Sequence, residues 1–139
     1  MNDKFEQISL KPGFMKHNGG VLFKTISKKE YEFKTTINQN HLNAAGITHG
    51  GFIAALVDAG AGTAAHRSAD NNPCVTISLE LKFISAVKLG QELIGKTIIQ
   101  KKTKSMIFLT CELQAENKIV ATASGIWKML KLSGSGPGG

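Results

Sequence analysis

Arginine occurs once in this chain of 139 residues, as Arg67, and tryptophan and tyrosine occur once each. Aromatic residues make up only 6% of the sequence, most of them at the alternating positions of strands. Proteins that read nucleic acids interleave arginine and exposed aromatics with their lysines. The formal charge of +7, from 17 Lys and Arg against 10 Asp and Glu, is therefore not read as a nucleic-acid surface, although it suits a phosphate-bearing small molecule. Cysteine is scarce too. Cys74 and Cys111 stand far apart and form no CxxC pair, which points to two reduced, half-buried thiols and not to a redox or disulfide framework. No apolar run reaches the ~18 to 20 residues that a membrane helix needs, so no membrane partner is expected. The first residues, Met1 to Gln7, contain no apolar leader core, and the expected location is the cytoplasm. Neither GxSxG nor HExxH occurs, and His41, His49 and His66 follow no standard ligand spacing, so neither a metal nor a cofactor is expected.

What the chain does have is strand patterning on either side of one small-residue segment. Residues 1–20 hold an amphipathic piece around Phe5 and a loop with Pro12, Gly13, Gly19 and Gly20. Val21 to Ile26 is a short apolar run. Tyr31, Phe33, Thr35 and Ile37 then alternate with Glu32, Lys34 and Thr36, the period of a half-buried strand, with Ser27-Lys-Lys29 as the turn between the two. Gly50 to His66 is small or apolar, and its length predicts a helix of about four to five turns that Asn71-Asn-Pro73 ends. Val75, Ile77, Leu79, Leu81 and Phe83 alternate with Thr76, Ser78, Glu80 and Lys82, and further strands are predicted over Leu93–Lys101, Met106–Gln114 and Ile119–Leu130.

Two strands, a helix and four strands predict an α+β fold: a curved antiparallel sheet of about six strands wrapped round one long central helix, in a single domain over residues 1–131. Such a sheet leaves a face and its edges open, so self-association is expected. The Gly/Ser-rich tail, 132–139, is expected to be a flexible appendage foreign to the fold.

The most informative stretch runs from His41 to Asp58 and reads HLNAAGITHGGFIAALVD. A buried, unpaired carboxylate is costly, so Asp58 has either a partner or a use. At helical spacing it shares a face with Gly51, Ala54, Ala55, Ala61, Gly62 and Ala65, all of them small. Gly60 and Gly62 each cost about 1 kcal/mol in a helix interior relative to Ala, which calls for a compensating close approach. The face is either a helix-packing surface with Asp58 paired, or a groove in which a thin ligand meets the carboxylate. Gly50-Gly51 favours the groove. The first turn of a helix has free N–H groups and a positive end, and glycine admits a ligand carbonyl there. His49 offers a ring donor to the same place and Asn43 an amide. An oxyanion site at a helix start and a carboxylate further along are the parts of an acyl-transfer hydrolase.

The pattern Asn43-x-x-Gly46-x-x-His49-Gly50-Gly51, followed by Leu56-x-Asp58 and set between two strands and four, resembles the hotdog-fold acyl-CoA thioesterases. The likeness is to the phenylacetate-degradation type and one branch of the 4-hydroxybenzoyl-CoA thioesterases, and it covers about residues 20–130. The resemblance implies hydrolysis of acyl-CoA thioesters to free acid and CoA, with Asp58 as general base or nucleophile. The Gly50 N–H would polarise the thioester carbonyl, Asn43 and His49 would position carbonyl or water, and Thr76 would stand near the attacking water. It also implies a homodimer, or a tetramer of two dimers, with carboxylate and oxyanion site drawn from different subunits. The acyl group is left open between aromatic, such as phenylacetyl or hydroxyphenylacetyl, and medium-chain fatty.

Gly51 would lie on the substrate path. The CoA phosphates call for positive charge, for which Lys101, Lys102 and Lys104 form the densest cluster and Arg67 and Lys82 are rivals. Two other readings stay open. One is a hotdog hydratase or dehydratase of acyl thioesters, although the pattern Asp-x-Asn-x-x-His is absent; the other is an acyl-CoA-binding protein without turnover.

Overall fold

Nine strands and α-helices follow one another among the described residues, with a 3₁₀ turn at Gln39–His41 between β3 and α2: β1 (Glu6–Gln7), α1 (Phe14–His17), β2 (Leu22–Thr25), β3 (Glu30–Thr36), α2 (Gly50–Ser68), β4 (Cys74–Phe83), β5 (Glu92–Lys102), β6 (Met106–Ala115) and β7 (Lys118–Met129). The structure, a computed structural model, describes residues 4–131. The expected flexible tail, 132–139, lies outside them. The predicted order of two strands, a helix and four strands is present. Two short additions precede it: the four-residue α1, and β1, a two-residue strand paired with β2. No helix among the described residues is long and apolar enough to cross a membrane.

All pairs are antiparallel, and the strands lie in the order β1-β2-β3-β5-β6-β7-β4. Chain order and sheet order therefore part at α2. The helix carries the chain across the sheet, β4 becomes the far edge, and β5 returns to pair with β3. Because α2 packs against β3, β4, β5, β6 and β7, strands from most of the sheet's width meet one helix, and the sheet curves round it.

Two glycine pairs set how closely the helix lies on the sheet. Phe33 pairs across strands with Gly95, and its ring fills the space between Gly95 and Gly60 of α2. A Cβ on either glycine would stand 2.2 Å from a ring carbon. The indole of Trp127 likewise fills the space that a side chain on Gly125 would take, and its Nε1 would lie 3.2 Å from a Cβ on Gly62. These are the close approaches that the two helix glycines called for.

The small face of α2 divides in two. Ala61 and Ala65 lie fully buried with Leu56, Val57 and Ala64, while Gly51 and Asp58 are exposed and Ala54, Ala55 and Gly62 half-buried. The expectation of six small residues on one open face is corrected on this point: the sheet curls far enough round the helix to cover two of them.

Strict alternation in β4 is corrected as well. A bulge between Thr76 and Ser78 makes Ile77 an extra residue, so that Thr76 pairs with Trp127 and Ser78 with Ile126. Trp127 is buried while Ile126 is partly exposed, so Thr76 faces the helix although its sequence parity matches Ser78, Glu80 and Lys82. Val75 and Ile77, predicted to face the core, are 42% and 52% exposed.

One further string needs its context. Gly90-Gln-Glu-Leu-Ile-Gly95-Lys96-Thr97 matches the letters of a phosphate-binding GxxxxGK[ST] loop, but from Glu92 on it is β5, paired with β3 and β6. Its backbone is taken up in the ladder and no helix follows, so it forms no phosphate cradle.

Alanine is the better helix former by about 1 kcal/mol, so at an exposed site Gly60→Ala would stabilise α2. Here the methyl runs into the Phe33 ring, and overpacking of this kind costs about 1–3 kcal/mol. The expected result is a net loss of stability in denaturant unfolding, with Gly95→Ala behaving alike; a stabilised Gly60→Ala would show that the helix is not seated on Phe33.

Candidate functional site

The loop before α2 is built so that its last residues arrive in one geometry. His41 is buried and stacked on Phe52, with ring centroids 3.7 Å apart. Its Nδ1 accepts from the Asn38 N–H at 3.0 Å and its Nε2 donates to the Asn18 carbonyl, so both ring nitrogens are in use. The His41 carbonyl accepts from the His49 N–H at 2.8 Å, and the Thr48 hydroxyl donates to the Val87 carbonyl at 2.8 Å. Asn43 shapes the loop itself: its Oδ1 accepts from the N–H groups of Ala45 at 2.9 Å and Ile47 at 3.3 Å. The Asn43 amide nitrogen has no partner among the described residues and remains a donor.

His49 is the N-cap of α2, and its Nδ1 accepts from the Gly51 N–H at 2.7 Å. This bond places the neutral ring's proton on Nε2, which is left as a donor. Gly51 gains a reason of its own, since a Cβ there would stand 2.8 Å from the His49 ring. The Gly50 N–H, in the first turn, has no acceptor within the helix and stays available beside the Phe83 ring. Asn43, Gly50, Ile53 and Phe83 line a shallow cavity of about 330 Å³.

Asp58 is exposed in the single chain, which corrects the expectation of a buried carboxylate. It stands on the flank of α2 that faces the β4 rim, where Ala54, Ala55 and Gly62 are too small to cover it. It does have a partner: the Thr76 hydroxyl donates to Asp58 Oδ1 at 2.7 Å. The other carboxylate oxygen has no partner among the described residues. Asp58 and Thr76 open onto a groove of about 410 Å³ that continues past Gly62 and Trp127 to Cys74 and His66. Burial pushes the Cys74 thiol up from its ordinary value, so it lines the groove as a neutral group. Cys111, buried in the sheet, is pushed up to about 12 by burial and is inert.

Asp58 and Thr76 are thus brought together, and so are Asn43, His49 and Gly50. The two groups are not. Eight residues separate Gly50 from Asp58, about 12 Å along the helix, whereas a reacting carbonyl must lie within about 3 Å of both donor and base. The cations are scattered as well. Lys101, Lys102 and Arg67 line a cavity of about 380 Å³ with Lys28 and Lys29, which the sequence analysis did not single out. There Arg67 pairs with Glu6 at 2.6 Å, and Lys102 donates to the Ser68 carbonyl at 3.0 Å, at the C-terminal end of α2 where a cation is favoured. Arg67 lies nine residues from Asp58, half a turn round the helix. Lys104 lines a separate cavity with Lys128, and Lys82 lies on the outer face of β4 opposite Thr122. His66, Cys74 and Trp127 were also missed as groove residues, although His66 stands at i+8 from Asp58, a spacing that helical periodicity could have marked.

A family model described as the thioesterase superfamily matches residues 45–122, a span that contains Gly50, Asp58 and Thr76. A Pseudomonas aeruginosa protein provisionally named an esterase is 33% identical over 94 residues, which cover 67% of this chain and 70% of that protein. Mouse acyl-coenzyme A thioesterase 13 is 25% identical over 112 residues, 79% of this chain and 80% of its own length. Among solved structures, zebrafish thioesterase superfamily member 2 matches with a TM-score of 0.77 at 22% identity, over 87% of this chain and 89% of that one. A variant of the phenylacetic acid degradation protein of Thermus thermophilus matches with a TM-score of 0.75 at 22% identity, over 84% and 97% of the two chains. At these identities the structural likeness is one of fold: the curved sheet round a central helix is the hotdog fold.

Asn43 has a structural task apart from any contact with a ligand, and that task is separable. Asn43→Ala removes two accepted hydrogen bonds and is expected to cost about 1–2 kcal/mol, read as a lowered midpoint of unfolding. Asn43→Asp keeps the accepting oxygen and should keep most of the stability. Equal losses in the two variants would mean that the accepted bonds do not hold the loop.

Proposed function

This chain belongs to the thioesterase superfamily and is a thioester hydrolase, and from that premise we propose that it hydrolyses acyl-CoA thioesters to free acid and CoA at sites shared between two copies of the chain. The observation that carries the reading is the Thr76-held carboxylate of Asp58 on an open groove, with the donors of its own helix start about 12 Å away. The parts are complementary and cannot meet within one chain. A second copy laid against the open face of α2 supplies the missing half to each.

The edge of the sheet supports such pairing. β4 is ten residues long, is bonded only to β7, and carries exposed Val75, Ile77 and Phe83. A long, apolar, unpaired edge in a folded protein calls for a partner strand. Continuing the sheet through β4 into a second β4 covers it and draws the two α2 helices together.

In the shared site the thioester oxygen points at the Gly50 N–H of one chain, where the positive helix end stabilises the charge that develops on it. The Nε2–H of His49 and the amide of Asn43 orient that oxygen or the water. Asp58 of the other chain, one oxygen held by Thr76, uses its second oxygen to take a proton from water as the water attacks the carbonyl carbon. The tetrahedral intermediate collapses, the carbon–sulfur bond breaks, and CoA leaves as the thiol once the proton is passed to sulfur. The small residues Ala54, Ala55 and Gly62 leave room for the thioester and its pantetheine arm beside the carboxylate.

Two variants test the site from both sides. Asp58→Asn is near-isosteric and should lower kcat by ~10²- to 10⁴-fold with the fold retained. Gly50→Pro deletes one N–H at the first helical position, where proline is well tolerated, after a His49 already extended at φ −66° and ψ 132°; a loss of ~10²- to 10³-fold is expected. Refolded together, the two inactive chains should recover about a quarter of wild-type activity, because half the dimers are mixed and each holds one intact site. A mixture no more active than its parts would exclude the shared site, and turnover of Asp58→Asn within a few-fold of wild type would remove Asp58 from the chemistry.

A further inference from the structure

We infer that the cavity between the β2–β3 turn, the end of α2 and the end of β5 binds a diphosphate group, free or carried on a nucleoside, apart from the Asp58 groove. Five of the chain's 17 Lys and Arg residues line this cavity of about 380 Å³. Lys28 and Lys29 come from the turn, Arg67 from the helix, and Lys101 and Lys102 from the strand. One carboxylate, Asp70, stands among them. The volume lies in the small-molecule range of ligand sites. No lining residue is shared with the Asp58 groove. Arg67 is nine residues from Asp58, about 14 Å along α2, and β6 and β7 lie between β5 and β4. Pairing through the β4 edge therefore leaves this cavity open on the outer flank.

Lysines on a convex surface swing apart into water, but the three segments here are tied to one another. The Lys29 carbonyl accepts from the Ile99 N–H at 2.8 Å, and the Lys28 carbonyl accepts from the Tyr31 hydroxyl at 2.9 Å. Lys101 and Lys102 follow Ile99 within three residues, so these side chains leave the backbone within about 10 Å of one another. Lys102 Nζ donates to the Ser68 carbonyl at 3.0 Å, which fastens strand end to helix end. Arg67 is held by Glu6 at 2.6 Å, with its guanidinium carbon 5.1 Å from the centre of the Phe23 ring. Only one of its N–H groups is taken by that pair, and the rest of the fork suits phosphate oxygens. The ammonium groups of Lys28, Lys29 and Lys101 have no partner among the described residues. Like charges gathered this closely repel, and the fold carries that cost unless an anion sits among them. A lone carboxylate is too small and too weakly charged to meet cations on three walls. A diphosphate concentrates several charged oxygens in a compact group and reaches all of them.

Calorimetric titration of the full chain with inorganic phosphate, inorganic diphosphate and ADP at low ionic strength tests the site. Wild type is expected to bind one diphosphate per chain, about tenfold or more tighter than phosphate, with affinity that falls as salt is added. ADP binding tighter than diphosphate identifies a nucleotide as the occupant, and equal binding identifies the free anion. The double variant Lys28→Gln, Lys29→Gln keeps the backbone bonds of the turn and should weaken diphosphate binding about tenfold or more. Its Tm and its KM for acyl-CoA should stay near those of wild type. Lys96→Gln with Lys118→Gln makes the same charge change at two other exposed positions and should leave diphosphate binding unchanged. Absence of saturable binding overturns the inference, as does equal weakening in the two double variants or none in the first. A KM for acyl-CoA that rises in step with the diphosphate Kd also overturns it, because the cavity would then belong to the substrate site.

Discussion

The seating of α2 on the Phe33 ring is the constraint from which the rest of the structure follows. A helix with ordinary side chains at its centre stands off a sheet by the thickness of those side chains. Here Gly60 above and Gly95 below let one ring fill the whole gap. The helix gives up backbone rigidity for this, about 1 kcal/mol per glycine, and the buried contacts made by Phe33, Leu56 and Val57 offset it, at roughly 1.5–3 kcal/mol for each large side chain. So close a seat lets the sheet curl up on both sides of α2. Ala61 and Ala65 are swallowed by that curl, and β4 at the rim rises far enough for Thr76 to reach Asp58.

The rim is where the fold departs from regularity. An unbroken β4 that keeps Leu79 and Leu81 toward the core would turn Thr76 away from the helix. The extra residue Ile77 absorbs the half-step, Thr76 comes round to α2, and the outward-facing Val75 and the bulged Ile77 are left on the edge. One local irregularity thus has two effects: it brings a hydroxyl to a carboxylate, and it adds to the apolar surface that a second chain can cover.

Much of this was legible in the sequence, and the unreadable parts share a cause. Alternation in β3, β5 and β6 and the small-residue run of α2 are local patterns fixed by periodicity, so element type and order could be read directly. The glycines at 60 and 62 announced a close approach, but not against which ring, because Phe33 and Trp127 lie far away along the chain. Counting twos alone would leave Thr76 facing away from α2, since a bulge leaves no mark in a run of β-branched residues; it was the resemblance that put Thr76 in the site. His49 was read as a donor toward a ligand; it is also the helix cap, which occupies one nitrogen and settles which one is free. The lysines misled for a different reason. Lys101 and Lys102 end β5 and line one cavity with Arg67, whereas Lys104 lies beyond the strand, in the turn before β6, and lines another, so a cluster in the text becomes two separate surfaces. Asp58, expected to be buried, is exposed in one chain because small neighbours provide no cover.

The two halves of the site also differ in how they are held, and the difference suits their tasks. The helix start is braced from behind: His41 is buried and doubly bonded, Thr48 is clamped to Val87, and His49 is tied to both the His41 carbonyl and the Gly51 N–H. An N–H that stabilises a developing charge gains most when nothing has to move as the charge appears, so the rigid end suits the oxyanion role proposed for it. The Asp58 carboxylate has one hydrogen bond and open space in front of it, which suits the base proposed here, since a base must meet a water that arrives and leaves with each turnover. Within one chain that openness leaves Asp58 exposed to solvent. A partner helix laid over Gly51, Ala54 and Ala55 would strip water from the carboxylate while bringing the braced donors to it. Desolvation and completion of the site are then one event, and the small residues on that face are what allow the partner to come close enough for both.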